Sequence, residues 1–277
     1  MAALLLLAGI GVALNWDLIR QTALGGYHDH DTVAPALPAG LHRPAILVFS
    51  KTNAFRHVEA IPAANELVRA IAARRGWSVF VTENGAAFEP SILSHFDAIM
   101  FNNATGDIFT PAQQAALRAW MESGGSFVGL HAAGDGSIPW PWYRERVIGA
   151  AFVGHPMNPQ FQPGLVRFED RSHPATRTLP ARLSRTDEWY HFQRSPRHDV
   201  HVLAVLDEAS LANRKIFGRD LSMGSDHPIA WWRCAGKGRV FYTAMGHRAE
   251  SYDEPAMRAM IAGALDWAVG REAPACP

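Results

Sequence analysis

With 277 residues, 48% of them hydrophobic, the chain can bury a full core and suits one domain with embellishments. Its formal net charge is zero, 26 basic against 26 acidic residues, which argues against nucleic acid as the main partner. The two cysteines, Cys234 and Cys276, lack metal-ligand spacing, so zinc-finger and dithiol chemistry are excluded and a structural disulfide between them is not expected.

Met1 to Leu14 is a nearly unbroken apolar run that Leu18 and Ile19 extend. Residues 1–20 are therefore read as a signal peptide or membrane anchor, although the run is short for a bilayer and no basic residue precedes it. That reading implies membrane attachment through the N-terminus or export to a periplasm-like space; without it the protein is cytoplasmic. From residue 21 to 43 the composition shifts to Gly, Pro, His and Asp, as in a linker, and residues 44–271 read as one domain.

Within that domain strands and helices alternate, the pattern of an α/β fold with a largely parallel sheet. Ala45–Phe49 is predicted as a short buried strand, followed by a polar loop to His57. Val58–Arg75 has helical periodicity and ends at Gly76; Trp77–Val81 and Phe96–Phe101 are the next strands. Thr110-Pro111 opens a helix with an N-cap and a proline at the first position, and Gly124-Gly125 closes it. The second half is richer in strands: Leu165–Glu169, Val200–Leu206, Ile229–Cys234 and Val240–Thr243. Gly236-Lys237-Gly238 turns the last two into a hairpin, and a helix from Asp253 to Val269 closes the domain.

The most informative stretch is Ser126–Asp135, SFVGLHAAGD, an apolar strand that runs into a small-residue turn with His131 at its apex. Ligands of open α/β sheets bind outside the carboxyl ends of the strands, so His131 faces the expected crevice. Such elbows often present a Ser or Cys nucleophile. Histidine instead suits acid–base work or metal binding. Asp135, four residues on, is placed to orient the imidazole.

His57 after the first strand and His247 after the last share this strand-end position. With Glu188 of the Asp187-Glu188-Trp189-Tyr190 run, they form a His/carboxylate set suited to zinc or another transition metal. Glu188 and Tyr190 alternate onto one side of a strand, and an acid with a phenol serves proton transfer or sugar binding. Trp140 and Trp142 lie in a Pro-rich insertion before His155, and aromatic faces there suit a sugar-binding wall. His173, in a turn before Pro174, reads as structural. No GxxxxGK or GxGxxG fingerprint occurs, so no nucleotide cofactor is expected.

The segments FSKTNAFRH, GLHAAGD, HPAT with DEWYHF, and HPIAWWRCAGKGRVFYTAMGH, in this order over residues 43–270, resemble the ThuA-like (trehalose utilisation) family. The resemblance implies a class I glutamine amidotransferase-like fold: a flavodoxin-like three-layer α/β/α sandwich, its mostly parallel sheet ending in a C-terminal hairpin. Amidotransferases carry a Cys at the elbow and a later His and Glu. Here His131 occupies the elbow and His247 with Glu250 falls near the later pair, so glutaminase activity is not expected.

The resemblance implies instead a role in carbohydrate metabolism, on disaccharides or their 3-keto derivatives. It also implies metal binding through histidines, for which His57, His131 and His247 are the matching residues. The resulting expectation is a sugar isomerase, lyase or hydrolase with a small-molecule carbohydrate as its partner and, as cofactor, a divalent metal such as zinc. His131, His247, Glu188 and Asp135 would be catalytic; Trp140, Trp142, Tyr190 and His155 would contact the sugar. The rival expectation is a non-catalytic carbohydrate-binding or regulatory module on the same fold.

Overall fold

The computed structural model describes residues 15–23, 25–270 and 274–276. The apolar run Met1–Leu14 lies outside the described residues, and among these no helix is long and apolar enough to cross a membrane. After a short helix α1 (Trp16–Ala23), the segment from residue 25 is pinned across loops that follow the first strands. Asn53 donates to the Asp29 carbonyl at 3.0 Å, Lys51 pairs with Asp31 at 2.6 Å, and Gln113 donates to the Asp31 carbonyl at 2.8 Å.

Four apolar strands build the parallel half: β1 (Ala45–Phe49), β2 (Ser78–Thr82), β3 (Ala98–Asn102) and β4 (Ser126–Leu130). All but β2 are buried along their whole length, so each reads as a continuous hydrophobic run. Between them lie α2 (Ala60–Arg75), a one-turn α3 (Pro90–Leu93) and α4 (Pro111–Glu122). Thr110 and Gln113 form a reciprocal capping box with Pro111 at the first position, so α4 starts where its sequence predicts.

The remaining strands are β5 (Phe152–Gly154), β6 (Phe161–Phe168), β7 (Arg182–Glu188), β8 (His191–Phe192), β9 (His201–Asp207), β10 (Lys215–Ile216), β11 (Arg219–Asp220), β12 (Pro228–Ala235) and β13 (Gly238–Thr243). Helix α5 (Pro255–Ala268) closes the domain beside α2. The nine-stranded sheet has the order β2-β1-β3-β4-β13-β12-β9-β6-β7. It is parallel from β2 to β13 and antiparallel beyond, through the expected β12–β13 hairpin. The order runs both ways from β1, and right-handed crossovers then place α2 and α4 on opposite faces. This is the mixed α/β, flavodoxin-like architecture, and its switch point lies between β1 and β3.

Two features depart from the sequence reading. The strand that carries Glu188 ends there, so Tyr190 lies beyond it rather than two residues along the same strand, and the charged run Arg182–Glu188 is stabilised at the sheet edge by an ion network rather than by apolar side chains. And Cys234 and Cys276 are joined in a disulfide. The expectation of two unpaired cysteines fails because the tail folds back over the sheet, where Trp267 donates its indole N–H to the Pro274 carbonyl at 2.6 Å. The 42-residue separation hides that approach.

Candidate functional site: a His/Glu cluster at the carboxyl ends of the strands

His131 ends β4 at φ +44°, a left-handed conformation that a non-glycine residue adopts only when its surroundings enforce it. The Tyr242 hydroxyl donates to its carbonyl at 2.8 Å. Gly134 completes the elbow, since a Cβ there would lie 2.4 Å from that same hydroxyl. The side chain is fully buried, with Nδ1 2.7 Å from the Ala244 carbonyl. A carbonyl only accepts, so Nδ1 carries a hydrogen and Nε2 is the atom turned toward the cluster.

His247 follows β13 through Gly246, and both backbone N–H groups donate to Asp187, at 3.2 and 2.8 Å. Arg185 holds Asp187 at 2.6 Å and is itself held by Glu254 at 2.8 Å and Ser251 at 2.9 Å. The antiparallel half thus curls back until the end of β7 meets the ends of β4 and β13. That delivers Glu188: its Oε2 lies 3.3 Å from His131 Nε2 and 3.2 Å from His247 Nδ1. Those two nitrogens are 3.2 Å apart. Glu188 Oε1 accepts from Gln160 Nε2 at 2.6 Å and lies 3.2 Å from His155 Nδ1.

His57, from the loop after β1, completes the group, its ring 4.5 Å from that of His247 and 4.9 Å from that of His131. Each of the four residues places one ligand atom within 4.8 Å of all the others. His57 is buried, and its Nδ1 has no hydrogen-bond partner among the described residues.

The electrostatics follow from this packing. Burial works against the Glu188 carboxylate, but hydrogen bonds with His131 and His247 outweigh it and hold its pKa well below the usual carboxylate range. Burial also opposes charge on His131, yet Glu188 raises its pKa. His57 is pushed well down by burial and then by the two neighbouring histidines, and His155 is lowered chiefly by burial.

These residues fit a divalent ion. Three Lewis-basic atoms form a triangle with edges of 3.2, 3.2 and 3.3 Å. A tetrahedral ion with bonds of about 2.0–2.1 Å separates its ligands by about 3.3 Å. The donor set of three imidazoles and one carboxylate suits zinc or a related metal.

The structure brings His57, His131, Glu188 and His247 together, with His155 and Tyr190 beside them; the Tyr190 ring lies 4.1 Å from that of His131 and is backed by Phe152 at 4.4 Å. Three sequence candidates lie elsewhere. Asp135 does not orient His131: the Ala244 carbonyl takes that role, and Asp135 accepts from the Ser137 backbone N–H at 2.8 Å. Burial raises the Asp135 pKa to about 6 against that hydrogen bonding. Trp140 and Trp142 stack on each other at 4.9 Å, and Trp140 stacks on Tyr143 at 6.2 Å; among the described residues neither ring contacts a ring of the cluster. Glu250 pairs with Arg248 at 3.0 Å, and His173 packs against Trp232 and Trp267, the structural role read for it.

Sequence reasoning missed Gln160, Asp187 with Arg185, and Phe161, whose ring lies 5.0 Å from that of His247. Gln160 sits in a loop with no motif to mark it. The alternation of Arg185 and Asp187 on one face of β7 was a signal that a buried ion pair was present.

The family model for ThuA, trehalose utilisation, matches residues 45–268. The chain belongs to the ThuA family. This ThuA protein is thereby a carbohydrate-related protein associated with trehalose utilisation, on a glutamine amidotransferase-like fold. It is similar to the crystal structure of a ThuA-like protein from Bacteroides uniformis, with 27% identity and a TM-score of 0.69 over 85% of this chain and 95% of that one. A ThuA-like protein from Parabacteroides merdae shares the fold at 15% identity and a TM-score of 0.62, over 82% of this chain and 89% of that one. Part of a β-galactosidase from Rahnella sp. R3 shares it too, at 16% identity and a TM-score of 0.50, over 82% of this chain but 31% of the enzyme. No curated protein sequence matches the chain.

Proposed function

We propose that this ThuA protein is a metal-dependent enzyme acting on a disaccharide or its 3-keto derivative, with His57, His131, Glu188 and His247 as ligands of one divalent ion such as zinc. The observation that carries this reading is the triangle of basic atoms, 3.2 to 3.3 Å on each edge, beside a buried His57. Bound there, the ion would act as a Lewis acid toward a sugar carbonyl or hydroxyl oxygen.

The chain's own residues supply the rest. His155 Nδ1 faces only acceptors, Glu188 Oε1 at 3.2 Å and the Pro156 carbonyl at 3.1 Å, so its proton sits there and Nε2 keeps a lone pair. A neutral imidazole of this kind is a general base. Gln160 and His155 hold Glu188 Oε1 and turn Oε2 toward His131 and His247. The rings of Tyr190 and Phe161 offer apolar faces for a sugar.

The substrate class comes from the family. In a 3-keto glycoside the hydrogen on the carbon next to the carbonyl is acidic. His155 takes that proton, the electron pair forms a double bond to the anomeric carbon as its bond to the aglycone oxygen breaks, and the proton held by His155 passes to that oxygen. Returning the proton to another carbon gives isomerisation, and attack by water gives hydrolysis. The complete burial of His131 favours a second reading, a non-catalytic carbohydrate-binding or regulatory module.

Metal analysis of the purified protein, followed by incubation with trehalose, other disaccharides and their 3-keto forms, with and without chelator, tests both. One ion per chain and chelator-sensitive consumption of a sugar is the expected result. A metal-free protein with no turnover removes the enzyme reading; sugar binding without turnover supports the module. Export is part of the same proposal. It is supported by the Cys234–Cys276 disulfide, since such bonds persist in oxidising compartments. Finding the mature protein only in the cytoplasm with both thiols free would remove it.

A further inference from the structure

We propose that an arginine-lined cleft between β12 and the segment following Trp142 is a second binding site, for a tetrahedral oxyanion, phosphate or sulfate, free or carried as an ester on a sugar. The cleft has a volume of about 690 Å³ and is lined by Arg144, Arg146, Arg194 and Arg233 against the two carboxylates Glu145 and Asp199. Four guanidinium groups therefore face two acids. Glu145 is engaged by Arg144 at 3.2 Å and Asp199 by His198 at 3.2 Å. Arg146 and Arg194 have no ion-pair partner among the described residues.

Arg233 is the built part of the site. It reaches from β12 to the Glu145 carbonyl, to which Nη1 donates at 2.8 Å. Gly149 makes that reach feasible: at φ +81° it has no side chain, and a Cβ there would lie 2.4 Å from Nη1. The Nε–H of Arg233 is buried with no hydrogen-bond partner among the described residues. Burial and then Arg146 disfavour its charge and outweigh the opposing attraction of Asp199, so the cleft keeps an excess of positive charge. Planar guanidinium forks with spare donors match the oxygens of phosphate or sulfate, and two or more converging on one anion give paired, charge-assisted hydrogen bonds.

The cleft is separate from the His/Glu cluster. Arg233 pairs with Val240, which pairs with Phe127, three residues before the end of β4 at Leu130. At about 3.3 Å per residue that is roughly 10 Å back along the sheet from the elbow. The inference therefore stands whether or not the cluster binds metal.

Calorimetric titration of the full chain with inorganic phosphate and with sulfate, against chloride at matched ionic strength, tests it. Saturable binding of either oxyanion but not of chloride is expected. The Arg146→Ala/Arg194→Ala double variant should bind about tenfold or more weakly, the loss of one to two charge-assisted hydrogen bonds. Both of those side chains are exposed and unpaired, so this variant keeps the fold even if Arg233→Met, expected to abolish binding, does not. Glucose 6-phosphate binding more tightly than phosphate identifies a sugar ester as the occupant; equal affinity identifies the free anion. No saturable binding, or equal binding by the double variant, overturns the proposal.

Discussion

Two buried His/carboxylate groups lie on either side of Tyr190, and they differ in what their nitrogens face. In the group of His191, Glu208 and His227, every contact is a donor meeting an acceptor. His227 lies 2.8 Å from Glu208 Oε1 through Nδ1 and 2.8 Å from the Tyr190 carbonyl through Nε2, so each ring nitrogen faces an acceptor. Glu208 also accepts from the backbone N–H groups of Met223 at 2.7 Å and Gly224 at 3.0 Å, and His191 Nδ1 donates to the Leu221 carbonyl at 3.0 Å. In the group of His57, His131, Glu188 and His247, basic atoms face one another. Residue type and proximity are the same in both, so neither identifies a metal centre. What decides is where the other nitrogen of each imidazole is committed. The first group is a brace: it fixes the backbone of Tyr190, whose ring rests against His131.

The largest expected effect tests the ligand assignment. Glu188→Ala and His131→Ala should each remove the bound ion and abolish sugar turnover, measured by metal content and product formation, while the chain still folds. The loss should exceed the about 10–100-fold typical when only a partner that orients a ligand is removed. Full metal retention in either variant breaks the distinction between the two groups.

The strand-end histidines were legible because each follows an apolar run. A strand's carboxyl end in an open sheet faces the crevice, which places His57, His131 and His247 on one edge from the sequence alone. Glu188 was legible as a candidate, but not its approach, which depends on the antiparallel half curling back through the Arg185–Asp187–Glu254 network. Asp135 was misread because an acid four residues from a histidine meets it only if the turn continues as an α-helix, whereas residues 131–134 form a 3-10 turn. Trp140 and Trp142, read as a sugar-binding wall, stack on each other, since a Pro-rich aromatic insertion can satisfy itself with its own rings. The disulfide and the second His/carboxylate group join residues far apart in sequence, and no local pattern announces either.

Next in size is the brace. Leaving a buried charged partner unpaired costs about 3–5 kcal/mol, so Glu208→Ala and His227→Ala should lower stability by that order in chemical denaturation. Metal content at the other group should be unchanged under conditions where these variants are folded. Loss of one ion per chain from His227→Ala, with no loss of stability, would reverse the roles given to the two groups.

A smaller effect is expected at Gln160. Its amide fixes Glu188 Oε1 at 2.6 Å without reaching the other ligands. Gln160→Ala should weaken metal binding by about tenfold, the lower end for a partner that orients a ligand, read by competition with a chelator. Stability should change little, because Gln160 is only partly buried.

The smallest effect concerns pH and belongs to the brace. Burial, and then neighbouring His227, lower the His191 pKa from 6.5 to about 4. An unfolded chain takes up a proton at this residue as pH falls below about 6.5, whereas the folded chain resists until about pH 4. The unfolded state therefore binds more protons across that window, and stability falls as pH falls through it. His191→Gln can still donate to the Leu221 carbonyl but does not titrate, so the slope of stability against pH between about 6.5 and 4 should become shallower. An unchanged slope would mean that His191 is already protonated in the folded protein. Its Nε2, buried with no partner, would then carry a hydrogen with nothing to accept it, a cost that the neutral ring avoids.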